Sequence, residues 1–248
     1  MSGKDALEQF KRIRATRNII SGIHNYCDRW CERCAFTANC SVFAMGEEED
    51  RIRRESNKPD VDLAEYVGNM FRDAMEILQI MAEREGIDLD AIEADETDSG
   101  KPGRKGYLER KAGEHAKWLF EWFKNNNADL EELLVRVKTA SENDFLIVTD
   151  AIEVLRWFIH FIAVKFARAA SPPWEDSPEG RYDRNGSAKI AMIAANRSME
   201  ALAVLLKMMP DQEDELLKAL ARLERIRNRA LREYPEAMGF KRPGLDDQ

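Results

Sequence analysis

The sequence predicts an all-α protein, a bundle of about five to seven mostly antiparallel helices. Apolar residues recur at a helical period along most of the chain, and no alternating run is long enough to form a convincing strand. Segments rich in Pro, Gly, Asn or acidic residues separate the periodic stretches, as is typical of helix ends. Charged residues make up 34% of the 248 residues, which suits long solvated helices.

In the N-terminal part, the apolar period predicts one helix over 5–30. The acidic run 47–50 and the Pro-containing segment 56–60 are expected to interrupt the pattern. An N-cap aspartate then favours a second helix over about 62–83. The segment 86–106, which is first acidic and then contains Gly and Pro, is predicted to be a linker.

The C-terminal part is predicted to be a succession of helices with a second loop over 171–186, where two adjacent prolines occur. The predicted helices cover roughly 107–124, 129–138, 141–170, 187–209 and 211–233. We therefore expect an N-terminal segment over 1–58, followed by a helical bundle over 59–248 that packs as one unit.

All four cysteines of the chain lie within fourteen residues, at Cys27, Cys31, Cys34 and Cys40. This C-x3-C-x2-C-x5-C spacing allows one segment to supply four thiolates to one metal centre. On an uninterrupted helix, the first three would share one face, and Cys40 would return by a turn. The sequence therefore predicts an N-terminal four-cysteine metal-binding segment.

An iron–sulfur cluster of the [4Fe–4S] type is the favoured occupant, since its irons can each reach one thiolate of a compact segment. Zinc is the main alternative, although it more often takes two separate C-x2-C pairs. Copper(I) also prefers thiolates, and disulfides or inert thiols are the remaining interpretations.

Parts of the cysteine segment resemble two known families, each over under a tenth of the chain. The first three cysteines match the spacing of radical-SAM enzymes, but that family places them after a strand of a β/α barrel. Cys31, Cys34 and Cys40 are similar to the end of the cluster loop in DNA glycosylases of the endonuclease III type, which are helical. The acidic net charge argues against DNA binding, so no catalytic residue is carried over from either family.

Polar residues on otherwise apolar helices suggest a second site. His115, Glu153, His160 and Glu200 lie on predicted helices with mostly apolar neighbours, and buried groups of these types need partners. One interpretation is a carboxylate/histidine metal site between facing helices, as in ferritin-like proteins. The sequence has none of the Glu-x-x-His pairs of that family, and a hydrogen-bonded core network is the other interpretation.

The net charge of −8 disfavours nucleic acid and anionic membranes as partners. The N-terminus shows no apolar leader, and no stretch reaches the roughly eighteen apolar residues of a membrane helix. We therefore expect a cytoplasmic protein, and in that compartment clustered thiols more often bind metal than form disulfides.

Three functional hypotheses follow. The first is a metalloprotein whose cysteine centre serves electron transfer, redox sensing or structure, with a protein redox partner. The second is a metal-dependent oxidoreductase with the carboxylate/histidine site in its core. The third is a protein-interaction module in which a structural zinc site stabilises the fold.

Overall fold

The computed structural model describes residues 3–55, 62–89, 105–170 and 177–246. These residues form helices and no strand, which confirms the predicted all-α class. The chain divides into two compact units: Met1–His24 with Arg29–Pro102, and Asn25–Asp28 with Gly103–Gln248. This division differs from the predicted segments 1–58 and 59–248, because the helix after residue 62 groups with the N-terminal helices.

The first unit contains helices α1 (Gly3–Thr16), α2 (Ser41–Glu55) and α3 (Leu63–Glu85). Helix α1 packs against both α2 and α3. Helix α3 begins after Asp62, as predicted, and ends at Gly86, whose φ of 70° suits a glycine C-cap. Of the predicted linker 86–106, residues 90–104 lie outside the described residues.

Two predictions for the first unit were wrong. The helix expected over 5–30 ends at Thr16, and the left-handed backbone angles of Gly22 and Arg29 (φ 77° and 61°) exclude a continuous helix as far as residue 30. The acidic run 47–50 is helical: Glu48 pairs with Arg12 of α1 and with Arg51 of its own helix, and Glu47 pairs with Arg17, which follows α1. Hydrogen bonds from Arg51, together with Arg12 nearby, lower the pKa of Glu48 to about 2.

The second unit contains six helices in its described residues: α4 (Tyr107–Asn125), α5 (Asn127–Ala140), α6 (Glu142–Phe158), α7 (Phe161–Ala170), α8 (Pro178–Met208) and α9 (Glu213–Glu233). Helix α8 packs against α6, α7 and α9, and α4 packs against α7 and α9. Buried positions of α8 are mostly Ala, Ser and Gly, so neighbouring helices can approach its backbone closely. Larger side chains of the core come both from α8, at Ile190, Met192, Leu202 and Leu205, and from the helices around it.

Two further predictions need correction. The helix expected over 141–170 is split into α6 and α7, with Ile159 and His160 at the junction. The loop expected over 171–186 ends by Ser177, whose hydroxyl accepts the Gly180 N–H (2.9 Å) and caps α8. Residues 171–176 of that loop lie outside the described residues. None of the described helices has the length and apolar character needed to cross a membrane.

Candidate functional site

The cysteine segment folds into successive one-turn helices and not into the uninterrupted helix that would place its first three cysteines on one face. Cys31 begins a 3₁₀ turn, and Cys34 ends it by donating its N–H to the Cys31 carbonyl (3.1 Å). Cys40 ends the next turn by donating its N–H to the Thr37 carbonyl (3.2 Å). The expected common face of Cys27, Cys31 and Cys34 on one helix therefore does not form.

Backbone groups lie close to both Cys34 and Cys40. The Sγ of Cys34 accepts a hydrogen bond from the Phe36 N–H (3.4 Å), a contact that orients a thiolate ligand. Cys40 precedes α2, and its carbonyl accepts the Ala44 N–H (3.0 Å) in the first turn of that helix. The N-terminal end of α2 thus lies directly beside Cys40.

Neighbouring residues fix the cysteine turns within the first unit. The Asn39 side chain donates to the Asn18 carbonyl (2.7 Å), and the Ile20 N–H donates to the Asn39 carbonyl (3.0 Å). The Arg33 guanidinium lies 3.8 Å from the centroid of the buried Trp30 ring, which places a positive charge within the segment. All four cysteines are thiols, and all are half-buried.

Cys27 belongs to the second unit, where the short segment Asn25–Asp28 is held firmly. The buried ring of Tyr26 packs edge-on against Tyr182 and Phe240, at centroid distances of 5.8 and 5.0 Å. Its hydroxyl donates to Asp183 (3.1 Å), and burial, followed by the charge of Asp183, raises the Tyr26 pKa well above its ordinary value. The ring reaches this place because position 186 is glycine, where an added Cβ would lie 2.5 Å from it.

Both ends of the segment Asn25–Asp28 also accept hydrogen bonds from other residues of the second unit. The Lys165 ammonium donates to the Asn25 carbonyl (3.1 Å), and the Trp157 indole N–H donates to the Asp28 carbonyl (2.8 Å). The Asp28 carboxylate pairs with Arg197 (2.7 Å). Cys27 is thus flanked by residues whose backbone and side chains are fixed, which limits its own freedom.

Sequence reasoning missed the polar cluster that Tyr26 forms with Asp183 and Arg168. Arg168 donates two hydrogen bonds to the Asp183 carboxylate, at 2.6 and 2.9 Å. Asp183 lies in the predicted loop 171–186, so no helix period indicated its burial. The one available signal was the position of an aromatic residue directly before Cys27.

The second predicted set is not brought together. His115 is buried in α4, whereas Glu153, His160 and Glu200 are exposed. No group of three or more His, Cys, Asp or Glu side chains in the described ranges lies close enough to hold a metal ion. His115 has no hydrogen-bond partner among the described residues at either ring nitrogen. Burial first, and then the positive charge of Arg222, lowers its pKa to about 4.

The comparisons with known proteins add no relative to this description. No protein-family model matches the chain, and no significant match is found among curated proteins or solved structures.

Proposed function

We propose that this chain is a metalloprotein whose four-cysteine segment holds one thiolate-ligated centre, a [4Fe–4S] cluster, in an electron-transfer or redox-sensing role. The observation that carries the proposal is the backbone of the segment. Two successive turns each end on a cysteine, and the Cys34 sulfur receives a backbone N–H. Such contacts orient sulfur ligands and tune clusters.

Three of the four ligands, Cys31, Cys34 and Cys40, lie in the first unit and are half-buried, so iron and sulfide can reach them. The helix dipole of α2 and the guanidinium of Arg33 offset the negative charge that thiolates bring. Cys27 is included as the fourth ligand because of its sequence spacing to the other three cysteines. Four thiolates from fourteen residues favour a cubane over tetrahedral zinc, for which paired C-x2-C segments are usual.

The thiols are not gathered around a point in the described geometry. We therefore expect the centre to form by coupled closure, in which metal binding draws the cysteine turns together. Free energy of metal binding then becomes free energy of folding for this segment.

The test is metal analysis with visible spectroscopy on protein purified without oxygen. We expect about four irons and about four sulfides per chain, with a broad band near roughly 400 nm. Cys34→Ser should lose most of the iron and the band. Ala35→Ser is the matched control, because it adds the same hydroxyl at an exposed neighbouring position and keeps every thiol.

Each outcome has a defined meaning. Iron and sulfide in the parent and in Ala35→Ser, but not in Cys34→Ser, support the cluster. A colourless protein that contains only zinc overturns the cluster and the redox role. The cysteines would then form a zinc site that stabilises the fold. Equal metal content in Cys34→Ser and the parent overturns the assignment of the ligands.

A further inference from the structure

A groove in the second unit lies where the end of α4, the start of α5 and the junction of α6 with α7 meet. Its volume of ≈ 550 Å³ falls within the range of about 300–1,000 Å³ for small-molecule sites. Its walls include three apolar and three basic side chains: Phe120, Phe123, Ile159, Lys124, Arg156 and His160. The groove does not involve any cysteine.

The apolar part of the groove is open to a ligand. The Phe120 side chain is 55% exposed, although an aromatic ring gains free energy when it is buried. Phe123 lies deeper and holds the Arg156 guanidinium over its ring, 5.2 Å from the centroid. A flat apolar body entering the groove would cover Phe120 and contact Ile159 at the helix junction.

The charges of the groove are all of one sign. Among the described residues that line it, none carries a carboxylate. Lys124 and Arg156 form no ion pair with any carboxylate in the part of the chain that the structure describes. Elsewhere on α4, by contrast, Arg110 and Lys111 are both paired with Glu114 (2.9 and 2.7 Å). In a chain of net charge −8, clustered cations without carboxylates favour an anionic ligand.

The helix junction at the groove supports the same interpretation. Helix α6 ends at Phe158 and α7 begins at Phe161, although the intervening sequence contains neither Pro nor Gly. The junction places Ile159 and His160 in the groove wall, beside the basic side chains of α4 and α6.

We propose that this groove binds a small amphiphilic anion, with an aromatic or acyl body and one acidic head group. The head group is bound by Lys124, Arg156 and His160, and the body packs between Phe120, Phe123 and Ile159. Carboxylate, sulfonate and phosphate heads share the required charge. This ligand site is independent of the proposed metal centre.

The experiment is a fluorescence titration of the full chain with two probes. One is the anionic 8-anilinonaphthalene-1-sulfonate, and the other is the neutral N-phenyl-1-naphthylamine, which has a similar body without the charge. We expect saturable binding of the anionic probe, competed by decanoate. Arg156→Gln and Lys124→Gln should each weaken it by about tenfold, the effect of one lost charge-assisted contact.

Lys117→Gln is the matched control, since it makes the same change at an exposed position of α4 outside the groove. Circular dichroism of each variant should equal that of the parent. Unchanged affinity in both groove variants, or equal weakening in Lys117→Gln, overturns the proposal. Tighter binding of the neutral probe than of the anionic one also overturns it. Competition by decanoate but not by inorganic phosphate supports the need for an apolar body, whereas competition by phosphate alone overturns it.

Discussion

Replacing His115 by phenylalanine should make the protein less sensitive to acid. The His115 side chain is 3% exposed, packs beside Trp118 and has no hydrogen-bond partner at either nitrogen among the described residues. The loss of water around the charged ring, and then the nearby Arg222 charge, lowers its pKa from 6.5 to about 4. Phenylalanine keeps a ring of similar size at this position and cannot be protonated.

The magnitude follows from proton linkage. The pKa of His115 is lower in the folded protein than in the unfolded chain, so the unfolded chain binds more protons as the pH falls below 6.5. The free energy of unfolding therefore decreases in this pH range. This decrease grows down to about pH 4 and then stays constant, at about 3 kcal/mol for a shift of this size. Between pH 7.5 and 5.0 it amounts to about 2 kcal/mol.

Urea unfolding followed by circular dichroism, at pH 7.5, 6.0 and 5.0, measures this difference. At pH 7.5 we expect His115→Phe to be as stable as the parent or more so, since it removes unsatisfied buried nitrogens. At pH 5.0 the variant should gain about 2 kcal/mol relative to the parent. Protonation of the other groups affects the parent and the variant equally, so it cancels from the difference between their unfolding free energies. His160→Asn, which replaces an exposed histidine, is the control. Parallel stability curves for His115→Phe and the parent would refute the reasoning.

Two further predictions concern the second unit. Gly186→Ala should destabilise the protein by about 1–3 kcal/mol in urea unfolding, because its Cβ would lie 2.5 Å from the Tyr26 ring. In a Tyr26→Ala background the same change should cost almost nothing, and additive effects would contradict the contact. Asp246→Asn should cost about 1–2 kcal/mol and speed proteolysis of the C-terminal segment, because Lys189 and Arg242 both donate to this carboxylate at 2.7 Å. An unchanged cleavage rate would show that these bonds do not hold the segment.

Amphipathic helices with clear ends were predictable from the sequence alone. Helix α4 was expected over 107–124 and spans Tyr107–Asn125, and α9 was expected over 211–233 and spans Glu213–Glu233. Both have an apolar stripe of regular period, and acidic residues occupy the first turn of each. In these helices the local sequence preference and the tertiary packing favour the same structure, so the apolar period alone is enough to predict the helix.

Features that depend on distant partners could not be predicted. The acidic run 47–50 is expected to resist helix formation by itself, yet it is helical, and Arg12 of α1 and Arg17 beyond the end of α1 supply counter-charges to it. The attachment of Tyr26 depends on Asp183 and on the missing side chain at Gly186, both far along the chain. Periodicity within a window contains no information about such pairs.

Neither predicted ligand set is gathered in the residues that the structure describes, and the two sets differ in what their assembly would require. Chain connectivity keeps Cys31, Cys34 and Cys40 near one another whatever the local conformation, and their approach requires only that short turns close. The set formed by His115, Glu153, His160 and Glu200 required each helix to have one particular rotation about its axis. The break between α6 and α7 ends the continuous helix that related Glu153 to His160 by seven residues. Assembly of ligands within one short segment therefore depends on local closure, whereas assembly of ligands spread over several helices depends on rotations that the apolar period does not determine.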